Sequence, residues 1–233
     1  MAGGWIETLQ YAPPSLIKRI LSGFCWEGTP DSMSMALTFD DGPDPDITPA
    51  VLDSLDALGA RGTFFMVGEN ASRHPGIARL VAERGHLVGN HSMTHPKMFL
   101  MRKSDVESEV DSAQKAIADA AGVKPGMFRP PYGMFDLTCA AVVKERRLTM
   151  VLWTVLSGDF SGKPPEDIRR RVEPYIRPGA IVVFHDTAKG GGKNLPNLIS
   201  EIGSSAKEKN IRLGGVNELS ISKDLAVDEG DDD

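Results

Sequence analysis

The sequence predicts an α/β protein of about seven parallel strands, alternating with helices and nearly closed into a barrel. Three observations lead there. Short apolar runs alternate with segments of helical periodicity, strand then helix, about seven times. The runs are apolar on both faces, as strands covered by helices must be. Polar residues of chemical interest sit where several different runs end, and no Gly-rich phosphate loop follows the first run. That distribution suits the rim of a barrel better than the single crevice of a doubly wound sheet.

The elements follow in order. Residues 1–32 read as an arm packed on the barrel. The arm carries an amphipathic piece over 15–21, then Phe24, Trp26 and a Pro30-Asp31 turn; a helix lying at a membrane interface is its alternative reading. Met35-Ala36-Leu37 opens the first strand, which stops at Asp40-Asp41 before the Gly42-Pro43 breaker. Val51, Leu52, Leu55 and Leu58 give a helix over 48–58, ended by Gly59 and Gly62. A strand over 63–67 precedes a helix over 75–84 that directs Ile77, Leu80 and Val81 inward and stops at Gly85. A strand over 86–89 leads to the longest helix, 104–121, with Ser104 as N-cap, Glu107 completing a capping box, and Gly122 as its stop. Then come a short strand at 127–128, a helix over 137–146, and a buried strand over 149–153. A helix over 165–176 starts at a proline and ends before Pro178-Gly179. A strand over 180–184, a helix over 195–209 and a strand over 211–213 complete the pattern. No internal repeat or linker interrupts residues 33–222, so they form one domain.

A chain of 233 residues can bury a full core. Its net charge is −6, but the tail over 223–233 holds five acids after Val227 and reads as a disordered end. Without those five the balance is 27 acidic against 26 basic residues, or −1, which leaves no basic field for nucleic acid. Cys25 and Cys139 belong to no metal-type spacing and read as reduced thiols, with a single disulfide between them as the alternative. No basic-then-apolar leader or long apolar span appears, so a cytoplasmic protein with no transmembrane segment is expected.

The convergence of candidate residues on strand ends is the strongest argument, and the Asp40-Asp41 doublet opens it. Two carboxylates at one strand end repel unless a cation or an arginine neutralises one. Taken alone, Asp-Gly-Pro-Asp-Pro is also ordinary turn chemistry. His91 and His95 have i, i+4 spacing, which on a helical turn places two imidazoles on one side, close enough for one metal. Two histidines and a carboxylate leave positions open for water and substrate, as a catalytic site requires. Arg129 precedes Pro130 and Pro131, whose stiffness would fix it and Tyr132. His185 ends an apolar strand at the same rim and suits acid or base work, and Asp159 could bond it and keep it protonated. His74 and His86 read as structural. The Gly190-Gly191-Gly192-Lys193 run lacks the P-loop spacing and reads as a flexible loop beside the site.

These residues, in this order, resemble the polysaccharide deacetylase family, carbohydrate esterase family four, over roughly residues 33–220. Thr38 to Pro43, His91 to His95, Arg129 to Gly133, Trp153 to Phe160, and Val182 to Asp186 resemble its five motifs in turn. The resemblance implies a distorted, TIM-like (β/α) barrel of fewer than eight strands. It implies a divalent metal, zinc first, with cobalt, nickel or manganese as alternatives. It also implies that Asp41, His91 and His95 bind that metal, that Asp40 is the general base, and that Arg129 orients Asp40. His185, tuned by Asp159, becomes the general acid. Tyr132, with Pro131 and Trp153, would serve the oxyanion and the acetyl pocket. The family commonly carries Trp where this chain has Phe160, which bears on sugar stacking at that point. The implied activity is removal of N-acetyl groups from N-acetylglucosamine units of a glycan. An O-acetyl ester or a non-sugar amide is the alternative substrate, and a non-catalytic glycan-binding barrel the alternative role. The absence of a P-loop and the histidine pair disfavour phosphoryl transfer.

Overall fold

A computed structural model describes residues 11–21 and 23–219. The predicted acidic tail and residues 1–10 of the predicted arm lie outside the described residues. Among those described, eight parallel strands form one curled sheet: β1 (Ser34–Asp40), β2 (Thr63–Met66), β3 (Leu87–Asn90), β4 (Met127–Phe128), β5 (Thr149–Met150), β6 (Val155–Leu156), β7 (Ile181–His185) and β8 (Arg212–Gly214). The strand order is β5-β4-β3-β2-β1-β7-β6, with β8 also pairing β1. β1 is the hub, holding β2, β7 and β8 in parallel register.

The curl does not close by strand pairing, because β5 and β6 end the path without meeting. The sequence predicts one strand over 149–153, but the backbone leaves β5 after Met150 and resumes as β6 at Val155. The arm covers that gap. Cys25 donates its N–H to Met150 O at 2.9 Å and accepts from Leu152 N–H at 2.7 Å, which pairs the arm with the edge of β5. Cys25 and Trp26 share an apolar cluster with Val151, Leu152 and Trp153. Both cysteines are free and buried.

Eight α-helices flank the sheet among the described residues: α1 (Ser15–Ile20), α2 (Ile47–Ala57), α3 (Gly68–Arg73), α4 (Pro75–Glu83), α5 (Lys103–Ala121), α6 (Leu137–Glu145), α7 (Pro165–Val172) and α8 (Leu195–Glu208). Helical spacing puts Val51, Leu52 and Leu55 of α2, and Leu198, Ile199 and Ile202 of α8, into the core. α5 starts one residue before its predicted N-cap. Arg102 takes the cap position with no side-chain bond, and Ser104 lies inside the helix, so the predicted Ser104–Glu107 capping box does not form. Its end is as expected, with Gly122 left-handed at φ 76°. α3 was not predicted; its six residues are too few for a periodic signal.

Alternation along β1 sets up the site. Met35, Leu37 and Phe39 join the large cluster beneath the helices. Ala36 joins the inner cluster with Phe65, Trp153 and Val183. Thr38 and Asp40 share the Ala36 face by the two-residue period, so the strand carries polar groups into the barrel interior just as it reaches the rim.

Candidate active site

Parallel strands bring their carboxyl ends to one rim. Asp40 ends β1, Asn90 ends β3 just before His91, Phe128 ends β4 just before Arg129, and His185 ends β7. Asp40 and His185 are register partners on adjacent strands. A cavity of about 410 Å³ opens there, lined among others by Asp40, Asp41, His91, His95, Trp153 and His185.

Asp40 is 3 % exposed and accepts a hydrogen bond at Oδ1 from Arg129 Nη1 at 2.7 Å. Arg129 is fully buried and spans the interior. It donates to Val151 O at 3.2 Å, Leu152 O at 3.0 Å and the Thr38 hydroxyl at 2.8 Å, and lies 4.1 Å over the Phe65 ring. Burial disfavours its charge, and the Asp40 carboxylate opposes that loss. The Pro130-Pro131 pair therefore follows an internal buttress, not a surface arginine.

Asp41 leaves the strand in a left-handed conformation, φ 73°, followed by a cis Gly42–Pro43 bond. This turn releases Asp41 from strand alternation, so both carboxylates reach one cavity. Gly42 is required: a Cβ there would stand 2.3 Å from Asp186 Oδ2. Asp186 is buried beneath the turn, accepts the Thr48 hydroxyl at Oδ2, and is not among the cavity-lining residues. Burial pushes its carboxyl up to about 7.

His91 and His95 are not on a helical turn as predicted. Ser92 and His95 both take positive φ, 66° and 61°, and the intervening residues form bends. The rings still meet, with centroids 5.0 Å apart. Nδ1–H of His91 donates to Arg129 O at 2.7 Å, because a carbonyl can only accept; its Nε2 is thereby left with the lone pair. Asp41 Oδ1 lies 3.0 Å from His95 Nε2 and 3.5 Å from His91 Nε2, and this buried oxygen has no hydrogen-bond donor. Burial alone would raise the Asp41 carboxyl; imidazoles protonated toward it would outweigh burial and hold it below the usual carboxylate range, whereas with the His91 Nε2 lone pair facing it the oxygen has no donor. One donor atom from each of Asp41, His91 and His95 lies within 4.8 Å of the others, a set that could hold one ion. An orphaned carboxylate oxygen facing two imidazole nitrogens fits a divalent metal.

On the other wall, Nδ1–H of His185 donates to Asp159 Oδ1 at 2.8 Å, and its backbone N–H donates to Asp159 Oδ2 at 2.7 Å. The Ser157 hydroxyl also donates to Asp159. Burial alone would lower the His185 pKa; Asp159 outweighs it, Asp40 and Asp41 add to it, and the group is pushed up to about 9. Phe160 meets the His185 ring edge-on at 5.1 Å. Tyr132 takes φ 58° and stands 56 % exposed at the mouth, its ring 4.6 Å from that of His95. A Cβ on Gly133 would come within 2.3 Å of Trp153, so glycine lets the Tyr132 turn press on the indole. Pro131 is buried beneath that turn and does not line the cavity.

Three residues here carry no sequence-level assignment. Thr38 was legible from strand alternation. Asn90 holds the ligand loop by accepting from Ser92 N–H at 2.9 Å while its amide donates to Val110 O and Gln114 Oε1. Glu109, on α5, accepts from Met93 N–H, Thr94 N–H and the Thr94 hydroxyl at 2.9, 2.9 and 2.7 Å. In sequence Glu109 is one acid on a solvated helix face. His86 is structural as predicted: Gly62 N–H donates to its Nδ1 at 3.1 Å, and burial pulls its pKa down to about 4.

The family model described as polysaccharide deacetylase matches residues 27–151. A peptidoglycan-N-acetylglucosamine deacetylase of Bacillus cereus is 29 % identical over 209 residues, covering 90 % of this chain and 71 % of that protein. A chitooligosaccharide deacetylase of a Bradyrhizobium species is 38 % identical over 154 residues, covering 66 % of this chain and 70 % of that one. Some longer relatives are spanned over only 37 % of their length. Among solved structures, a peptidoglycan N-acetylglucosamine deacetylase bound to an N-hydroxybenzamide superposes with a TM-score of 0.82 at 28 % identity, covering 88 % of this chain and 97 % of that one.

Proposed function

Because this chain belongs to the polysaccharide deacetylase family, we propose that it is a metal-dependent N-deacetylase that removes acetyl groups from N-acetylglucosamine units of a glycan and releases acetate. One observation carries the reading. The buttressed carboxylate Asp40, the ligand set Asp41, His91 and His95, and the protonated His185 all line a single cavity.

Asp41, His91 and His95 would hold the ion, with zinc favoured by a ligand set of two nitrogens and one oxygen. When bound, the ion supplies Lewis acidity, polarising the acetamide carbonyl and acidifying water. Asp40 is the general base. Arg129 occupies its Oδ1, which leaves Oδ2 to take the proton of the attacking water. His185 is the general acid. With Nδ1–H held by Asp159, its Nε2–H is the proton offered to the departing amine, which leaves only when protonated. The backbone N–H of Tyr132 is the donor assigned to the developing oxyanion, and its ring with Trp153 bounds the acetyl end of the cavity. Asp159 and Arg129 are positioning residues, acting through His185 and Asp40.

The test is acetate release by zinc-loaded protein from chitooligosaccharides, peptidoglycan strands and acetylxylan. Release from the first two, and a loss of kcat of about 100-fold or more in Asp40→Asn and His185→Ala, is the expected result. Release from acetylxylan alone would move the activity to esters. Tight glycan binding with no turnover on any substrate would make this a binding barrel.

A further inference from the structure

We propose that a cationic subsite adjoins the catalytic cavity and binds an anionic group of the glycan next to the sugar being deacetylated. The proposal rests on the deacetylase reading above and narrows its substrate class. A second cavity, about 250 Å³, lies beside the first. Gly190 lines both, and Asp159, which bonds His185 in the first, lines the second. Lys163 and Lys193 line the second cavity, and Lys189 lines the first where the two meet.

These three lysines have no ion pair or side-chain hydrogen bond among the described residues. Other surface lysines, such as Lys124, Lys144 and Lys207, are equally without an ion pair among the described residues; what sets Lys163, Lys189 and Lys193 apart is that they line the catalytic cavity and the one beside it. The carboxylate lining the second cavity is Asp159, and both its oxygens are already taken by His185, with Ser157 sharing one. The subsite therefore holds positive charge that the protein itself leaves without a partner.

The glycine run gives the subsite its shape. A Cβ on Gly190 would sit 2.4 Å from His185 Cβ, and one on Gly191 would sit 2.8 Å from Leu195 Cβ. The loop is thus folded tightly onto the catalytic wall, with Lys189 and Lys193 flanking it. A neutral chitooligosaccharide offers these ammonium groups nothing to pair with. A strand whose neighbouring sugar carries a carboxylate, such as a lactyl ether, or a phosphate does. Each exposed ion pair contributes little by itself, so the three together are expected to select the acidic glycan by roughly tenfold.

The experiment measures KM and kcat of the zinc-loaded full chain on four tetrasaccharides: N-acetylglucosamine alone, a peptidoglycan-type strand with free lactyl carboxylates, the same strand with those groups as methylamides, and a 6-phosphorylated N-acetylglucosamine chain. Calorimetric binding of all four runs in parallel. The expected result is a KM about tenfold lower for the carboxylate strand than for its methylamide, shrinking toward parity at about 0.5 M salt. Lys163→Ala/Lys189→Ala/Lys193→Ala should bring that ratio close to one, and Lys193→Glu should lower it further. A gain confined to the phosphorylated chain would keep the subsite and assign phosphate as its source. Equal KM and Kd for charged and neutral chains, or a ratio unchanged in the triple variant, would overturn the proposal. If no chain loses acetate, the deacetylase reading fails, and the calorimetric comparison still decides the subsite.

Discussion

Arg129→Met isolates the interaction on which the interior depends. The guanidinium is fully buried and serves four acceptors: Val151 O, Leu152 O, the Thr38 hydroxyl and Asp40 Oδ1. Methionine keeps the volume and the contact with Phe65 but strands a carboxylate that is 3 % exposed. Removing one partner of a buried ion pair typically costs about 3–5 kcal/mol, because the remaining charge keeps its desolvation penalty without its attraction. With a urea slope of about 2–3 kcal/mol per molar for a domain of this size, the unfolding midpoint should fall by roughly 1–2 M. Denaturation of metal-free protein, followed by far-UV circular dichroism, measures this. Asp40→Asn in the Arg129→Met background should recover part of the loss, because it removes the unpaired charge. A midpoint shift below about 0.4 M, or a double variant less stable than the sum of the singles, would refute the account of Arg129 as the counter-charge of Asp40.

Four further outcomes follow from the site. Asp159→Asn removes the charge that most raises His185 against burial, so the alkaline limb of the kcat/KM profile should move to lower pH, while Asp159→Glu should move it less. In metal-free wild type, the stability that His185 draws from its raised pKa is full below about 6.5 and lost as pH rises through about 9; Asp159→Asn should flatten that dependence in thermal melts across pH. Glu109→Gln weakens the capping of the Met93–Thr94 amides and should lower zinc affinity about 10- to 100-fold by calorimetry with little change in kcat at saturating zinc; unchanged affinity would remove Glu109 from the positioning set. Asp41→Asn or His95→Ala should reduce zinc binding below detection at micromolar metal, and equilibrium dialysis checks it.

Much of this protein was legible locally. Strand and helix leave different periods in the chain, so α2, α4, α6 and α8 fall within a residue or so of their predicted bounds. The rule that parallel strands share a carboxyl rim was enough to expect that Asp40, His91, Arg129 and His185 would meet, and they surround one cavity, with Arg129 behind Asp40. What the sequence alone could not decide were the events that depend on distant partners. The edge of the predicted strand over 149–153 is paired with Cys25 of the arm, about 125 residues away, and a local apolar run carries no trace of that contact. The histidine loop is not helical because Asn90 and Glu109 bond its backbone, and Glu109 reaches it only once α5 has packed. The three unpaired lysines are ordinary surface charges until the glycine run folds onto His185. Periodicity is a property of neighbours along the chain, and charge complementarity is a property of neighbours in space; the first was settled by the sequence, the second by the tertiary structure.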